Sequence, residues 1–304
     1  MSNDINRPNY QMGVIVDGIS RNLEHTLKVM KEFQLTHAEL QYLTMPSGKD
    51  KEVGDMTSEE IDWIKRIITA HGIQISCISR HIFSGLAVTE ITLNDNAYQQ
   101  QITDLKKCIQ MAKMLNCQLV RIMSFRKEMI LFGSQGAEEW IVANGAWDKL
   151  VTLLELPVQI AEDEDITLVI ETGNGSMITS AYLARKLIDQ LGSDRLKVLW
   201  DPCNSLYCTE KVYPDGYQCL RDGYLGHIHL KDARLDIARA MVEFVPFNTG
   251  DMAFYLSDLA EALKLDNYSG VISFESVYRP KPNTSFEDGF RSSIGAFQNL
   301  FATK

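Results

Sequence analysis

Concentrated positive charge is what this sequence most conspicuously lacks. Lys and Arg total 30 against 40 Asp and Glu, for a formal charge of −10 and an isoelectric point near 5.1, and no Lys/Arg-rich run occurs. A sequence-independent grip on nucleic-acid phosphates rests on clustered cations that release counterions, so DNA and RNA are not expected partners. Long apolar runs are missing too. No segment reaches the roughly 18 uninterrupted apolar residues of a membrane span, and residues 1–8 hold no apolar stretch of the secretory kind. The expectation is a cytoplasmic protein with no membrane partner. The six cysteines, Cys77, Cys108, Cys117, Cys203, Cys208 and Cys219, show neither C-x-x-C spacing nor the density of a disulfide scaffold, which leaves reduced, packed thiols. No low-complexity tract, short-period repeat or domain boundary interrupts the 304 residues, which are 45% hydrophobic and 23% charged. Residues 1–304 are therefore expected to form a single domain.

What is present is a regular alternation of strand-like and helix-like segments. Residues 10–16 read as a first strand, broken by Asp17-Gly18 before Ser20, which is placed to cap a helix reaching residue 33. Residues 37–43 form a second strand, and Thr57-Ser58-Glu59-Glu60 is a capping box opening a helix to residue 70. His71-Gly72 stops that helix, and residues 73–79 are a third strand with a long exit loop, 80–85. A helix over 94–115 and a fourth strand over 118–125 follow. The stretch 132–136 then leads into a helix to residue 161, with a break at Pro157. Beyond the solvated connector 162–165, four strands come in succession at 166–171, 196–201, 226–230 and 270–275. Helices over 179–191, 212–222 and 252–265 separate them, and a last helix covers 285–301. Eight such β/α units demand a parallel sheet and most often close into a (β/α)8 TIM barrel. No G-x-G-x-x-G follows the first strand, which argues against an open dinucleotide-binding sheet.

The last four strands end alike, on Glu171, Asp201, His229 and Glu275. In a barrel all strands open at one face, so these four residues converge in one mouth. Three carboxylates in a partly desolvated space repel one another, and a divalent cation removes the conflict while also accepting an imidazole. The mixed oxygen and nitrogen set favours Mn2+, Mg2+, Co2+ or Zn2+ over a thiolate-bound structural zinc and makes Cys203 and Cys208 bystanders. Within Gly226-His227-Ile228-His229-Leu230-Lys231-Asp232, strand parity pairs His229 with Lys231 on one face and sets His227 and Leu230 apart from them. His229, nearer the mouth, is the expected ligand. Lys231 is the expected electrostatic partner of a substrate oxygen, and His81, Arg121, His227 and Arg279 are further cavity candidates.

Several motifs are similar to those of the xylose isomerase-like barrels, in particular the sugar phosphate isomerase/epimerase group that includes ketose 3-epimerases and inosose dehydratases. Trp200-Asp201-Pro202-Cys203-Asn204 resembles the W-D-P-x-N strand end, and residues 226–232 resemble H-x-H-x-K-D. Pro246-Phe247-Asn248-Thr249-Gly250-Asp251 resembles the P-x-G-x-G-x turn, and Gly270 to Glu275 resembles the final strand. The resemblance implies metal ligands at Glu171, Asp201, His229 and Glu275 and substrate contact at Asn204. Two positions depart from the family pattern: Asn248 replaces the usual turn glycine, and Asn204 stands where ketose 3-epimerases carry a substrate-binding His.

The expected function is metal-dependent isomerisation or epimerisation of a sugar or polyol. The cation would hold two adjacent substrate oxygens and stabilise an enediolate, while Glu171 and Glu275 move the proton. An inosose dehydratase-like lyase is the alternative. An abasic-site endonuclease-like activity is disfavoured by Asn204, which replaces an expected His, and by the acidic charge. A non-catalytic sugar-binding barrel is disfavoured by retention of all four ligand-type residues. Homo-oligomer formation is left open.

Overall fold

The strand-like runs hydrogen-bond side by side until the first meets the last. A computed structural model describes residues 8–127, 137–239 and 241–301. Its strands, in chain order, are β1 (Gln11–Ile15), β2 (His37–Leu40), β3 (Tyr42–Thr44), β4 (Asp50–Glu52), β5 (Gln74–Ser79), β6 (Leu119–Ile122), β7 (Thr167–Glu171), β8 (Leu196–Trp200), β9 (Leu225–Leu230), β10 (Ala233–Asp236), β11 (Met241–Phe244) and β12 (Val271–Phe274). Eight of them close a parallel barrel in the order β1-β2-β5-β6-β7-β8-β9-β12, with β12 pairing back onto β1. This is the (β/α)8 TIM barrel expected from the alternation. The remaining four form two antiparallel hairpins, β3 with β4 and β10 with β11, which the linear pattern did not disclose.

Local signals place several boundaries. Thr57 accepts from the Glu60 N–H while the Glu60 carboxylate accepts from the Thr57 N–H, the full capping box, and Gly72 closes that helix in the left-handed conformation at φ 67°. The first helix, Leu23–Glu32, is capped by Asn22 rather than Ser20: the Asn22 side chain accepts from the His25 N–H, and Ser20 Oγ accepts from the Asn22 N–H. Pro157 does not break its helix, which runs Ala137–Asp163. Losing one N–H is tolerated there because Leu150, Leu154, Val158 and Ala161 are buried on either side of it. The expected helix over 212–222 is instead an irregular turn, Val212–Gly216, followed by the short helix Tyr217–Leu220. The expected stretch 132–136 lies outside the described residues.

Inside the barrel the packing changes character with height. Cys77, Val169 and Leu199 are fully buried and form a small apolar plug with Leu119 packed against it, separate from the large core between sheet and helices. Two residues further along the same strands the inward positions are polar, Ser79, Arg121, Glu171 and Asp201, and Glu39, His227, His229 and Ser273 are buried with them from the other strands. An interior filled in layers by alternating strand residues accounts for this stratification.

One loop is organised by a single carboxylate. Asp232, just past β9, accepts backbone N–H bonds from Ala233 (2.8 Å) and Met252 (3.1 Å) on Oδ1, and from Thr249 (2.9 Å) and Gly250 (2.8 Å) on Oδ2. A side chain at Gly250 would put its Cβ 2.4 Å from the Ala233 carbonyl oxygen, so only glycine fits that approach. Asn248, the departure from the usual turn glycine, sits at φ 66°, a left-handed conformation that Asn adopts more readily than most residues.

Candidate functional site

The C-terminal ends of β7, β8, β9 and β12 deliver Glu171, Asp201, His229 and Glu275 to the same end of the barrel. Glu171, Asp201 and His229 each offer one ligand atom, and those atoms all lie within 4.8 Å of one another. Glu275 joins them through Lys231, whose Nζ stands 2.6 Å from Asp201 Oδ2 and 2.7 Å from Glu275 Oε2. The ammonium is the positive charge between two carboxylates, and they in turn raise its pKa well above the ordinary lysine value despite burial.

Each member has a defined environment. Glu171 Oε2 accepts from Arg121 Nη1 at 3.0 Å. Burial alone would raise its pKa, but Arg121, with His229 and Lys231, brings it down to about 2, so the carboxylate stays ionised. Asp201 is fully buried, and that burial outweighs Lys231 and pushes it up to about 6. Its Oδ1 accepts from the Asn204 N–H at 3.0 Å and thereby caps the short helix Pro202–Tyr207, a role written into the Asp-Pro pair. Glu275 is lowered, because Lys231 and His229 outweigh its burial. Its side chain is 23% exposed, against 7% for Glu171 and none for Asp201.

The two histidines are separated by depth, not by face. Residues two apart on a strand share a face, and His227, His229 and Lys231 all point into the barrel, correcting the expected segregation of His227. His227 Nε2 donates to Glu39 Oε2 at 2.7 Å and lies 3.1 Å from Ser273 Oγ, one step below His229. His229 Nε2 donates to both oxygens of Glu39 (2.9 and 3.0 Å), leaving Nδ1 buried, without a hydrogen-bond partner among the described residues, and 3.6 Å from Glu171 Oε1.

The other candidates divide. His81 stands at the rim, its Nδ1 3.0 Å from Gln41 Nε2 and its Nε2 3.3 Å from Arg121 Nη2. The Arg121 charge beside this exposed ring holds its pKa down to about 4. Arg121 itself joins the site through Glu171. Asn204 turns its amide to the Thr172 carbonyl (3.0 Å), and Arg279 bonds the carbonyls of Val277 (3.3 Å) and Tyr278 (2.9 Å) over the Phe286 ring. Neither side chain is bonded to the four strand-end residues.

Sequence reasoning missed Glu39, which is fully buried, accepts from both histidines and from Ser79 Oγ, and is held well below the usual carboxylate range by those imidazoles despite its burial. The signal was available: a carboxylate between Ala38 and Leu40 in mid-strand has no reason to be there without a partner. Asp17, in the turn just past β1, breaks the strand pattern, and its carboxyl is pushed up to about 6 by burial; among the described residues its Oδ1 has no hydrogen-bond partner.

The model of the xylose isomerase-like TIM barrel family matches residues 27–298. The chain belongs to that family. No curated protein sequence matches it. Solved structures that this xylose isomerase-like barrel resembles include the IolI protein with a bound zinc atom (13% identity, 96% of this chain and 98% of that one, TM-score 0.69). L-ribulose 3-epimerase is similar at 16% identity, over 96% and 94% of the two chains, with a TM-score of 0.67. The probable 3-DHS dehydratase AsbF from Bacillus anthracis is similar at 13% identity, over 95% and 99%, with a TM-score of 0.68. Likeness at such identities shows the shared fold, and the xylose isomerase-like barrel is common ground for epimerase, dehydratase and zinc-holding neighbours. No helix among the described residues is long and apolar enough to cross a membrane.

Proposed function

We propose that this xylose isomerase-like barrel is a divalent-metal-dependent isomerase or epimerase of a sugar or polyol. The observation that carries the reading is the meeting of Glu171, Asp201 and His229 ligand atoms within 4.8 Å, with Glu275 drawn to the same place by Lys231. The buried Nδ1 of His229, without a hydrogen-bond partner among the described residues, is the atom that a cation would satisfy. Glu171, Asp201, His229 and Glu275 would hold the ion, and their oxygen and nitrogen donors suit Mn2+, Mg2+, Co2+ or Zn2+. Such an ion supplies Lewis-acid polarisation of substrate oxygens and acidifies the C–H between them.

The chain's own groups supply the rest. Glu171 and Glu275 are the proton-transfer pair: Arg121 keeps Glu171 ionised, and Glu275 is the more open of the two. Lys231 is the cation placed to meet a substrate oxygen beside Asp201 and Glu275. The apolar plug of Cys77, Val169 and Leu199 closes the barrel below the site. Neighbours named as acting on L-ribulose and D-psicose favour a small ketose as substrate. The free cysteines fit a reducing, cytoplasmic setting. The same proton abstraction followed by loss of a β-hydroxyl is dehydration, the alternative represented by AsbF among the neighbours.

The test is metal analysis of the purified protein together with exchange from D2O into D-psicose, D-tagatose, L-ribulose and inososes. Bound divalent metal with deuterium entering beside the carbonyl supports the reading, and water loss from the substrate reassigns it to the lyase. A protein that takes up no metal and exchanges no proton is not this enzyme.

A further inference from the structure

Two groups of buried residues share His229. Glu171, Asp201 and His229 form one, and Glu39, His227 and His229 form the other, each with ligand atoms within 4.8 Å. Their bonding differs. In the lower group the carboxylate is saturated: Glu39 Oε2 accepts from His227 Nε2 at 2.7 Å, both its oxygens lie within 3.0 Å of His229 Nε2, and Ser79 Oγ donates to Oε1. In the upper group His229 Nδ1 has no hydrogen-bond partner among the described residues. A ring nitrogen that donates its proton to a carboxylate has no lone pair to offer, so one imidazole serves the two groups through different atoms.

We propose that Glu39 is a positioning residue that holds the His229 proton on Nε2 and so presents the Nδ1 lone pair to Glu171 and Asp201 for metal binding. The inference rests on the metal reading above and adds a residue which that reading does not contain. The physical case is one of location. Glu39, His227 and His229 have no solvent exposure, so water cannot supply a substitute acceptor for the Nε2 proton. A carboxylate behind a ligating imidazole fixes ring orientation and tautomer and strengthens the ligand, and removal of such partners typically costs about 10–100-fold in metal affinity. Ser79, which reaches Glu39 but not His229, orients the carboxylate from the other side.

Zn2+ titration of the metal-free protein by calorimetry, for the wild type, Glu39→Gln and Ser79→Ala, separates the possibilities. The expected result is Zn2+ binding by the wild type, about 10–100-fold weaker binding by Glu39→Gln, and a smaller loss for Ser79→Ala, which removes one donor to the carboxylate and leaves the carboxylate on His229. Folding of each variant is checked by circular dichroism and melting. Should Glu39→Gln not fold, 15N NMR of the histidine rings in the Zn2+-loaded wild type answers the same question. The expected spectrum has His229, assigned by its loss in His229→Gln, protonated on Nε2 and metal-bound through Nδ1. A wild type that binds no Zn2+ sinks the metal reading and this role with it. A wild type that binds while a folded Glu39→Gln binds equally well, or a His229 protonated on Nδ1 with Nε2 on the metal, overturns the positioning role alone.

Discussion

Arg121 Nη1 and Glu171 Oε2 lie 3.0 Å apart inside the barrel, although the two residues are 50 positions apart in the chain. Both side chains are almost without exposure, at 3% and 7%, so water screens neither charge. Breaking such a pair on one side leaves an uncompensated buried charge, and Arg121→Met should cost about 3–5 kcal/mol in urea unfolding. Arg121→Lys, which keeps the charge but loses the second contact to the Ser79 carbonyl, should cost less. A loss below about 1 kcal/mol for Arg121→Met would show that the barrel accommodates a neutral Glu171.

The acid side of the stability curve of the metal-free protein follows from the same carboxylate. The folded pKa of Glu171, about 2, lies below its unfolded value, so its contribution is complete above roughly pH 4.5 and is lost as the pH falls toward 2. The gap corresponds to something on the order of 3 kcal/mol. Asp201 has the opposite sign: raised to about 6 in the folded state, it favours folding at low pH, and that contribution is lost as the pH rises through about 6. Melting temperatures measured with a chelator present should therefore fall steeply below about pH 4, where Glu171 titrates. In Asp201→Asn the change between about pH 4 and 6 should flatten while the steep acid fall remains. An unchanged profile in that variant would remove Asp201 as the titrating group.

Ligand and base should separate kinetically. Glu275→Gln keeps an oxygen near Lys231 but accepts no proton near neutral pH, so turnover should drop about 100-fold or more with the metal content largely retained. Asp201→Asn should act through occupancy and recover activity with excess metal. Solvent-proton exchange into the true substrate at saturating metal is the deciding measurement. Wild-type exchange by Glu275→Gln would move the base to Glu171 alone or to Lys231.

Asn248 should tolerate glycine and resist branched residues. At φ 66° a β-branched side chain is strained, so Asn248→Val should cost about 1–3 kcal/mol, whereas Asn248→Gly should stay within about 0.5 kcal/mol of wild type. Chemical denaturation of the two variants provides the comparison. Equal stabilities would show that the turn relaxes out of the left-handed conformation, and the N–H bonds from Thr249 and Gly250 to Asp232 would then be expected to loosen as well.

Much of the site was legible because strand ends are local features. Val-Ile-Glu171, Leu-Trp-Asp201 and Ser-Phe-Glu275 each show an apolar run stopping at an acid, and the structure brings all of them to one end. Arg121 was legible only as a candidate, since nothing near it in sequence names Glu171 as its partner. The side chains of Asn204 and Arg279, candidate substrate contacts in the sequence, are bonded to nearby backbone carbonyls, partners that no local pattern names.

What the sequence by itself determined is the period: eight strand and helix alternations, the capping box at Thr57, and the acid or imidazole closing each of the last four strands. These depend on residues within a few positions of one another, and local chemistry suffices to specify them. Only the tertiary structure decided which buried groups meet. Closure of the barrel places Glu39 of β2 against His227 and His229 of β9, some 190 residues away, with β1 and β12 between them in the sheet. That meeting crosses the barrel interior, and no pattern along a single strand encodes which side chain from the far wall reaches its partner.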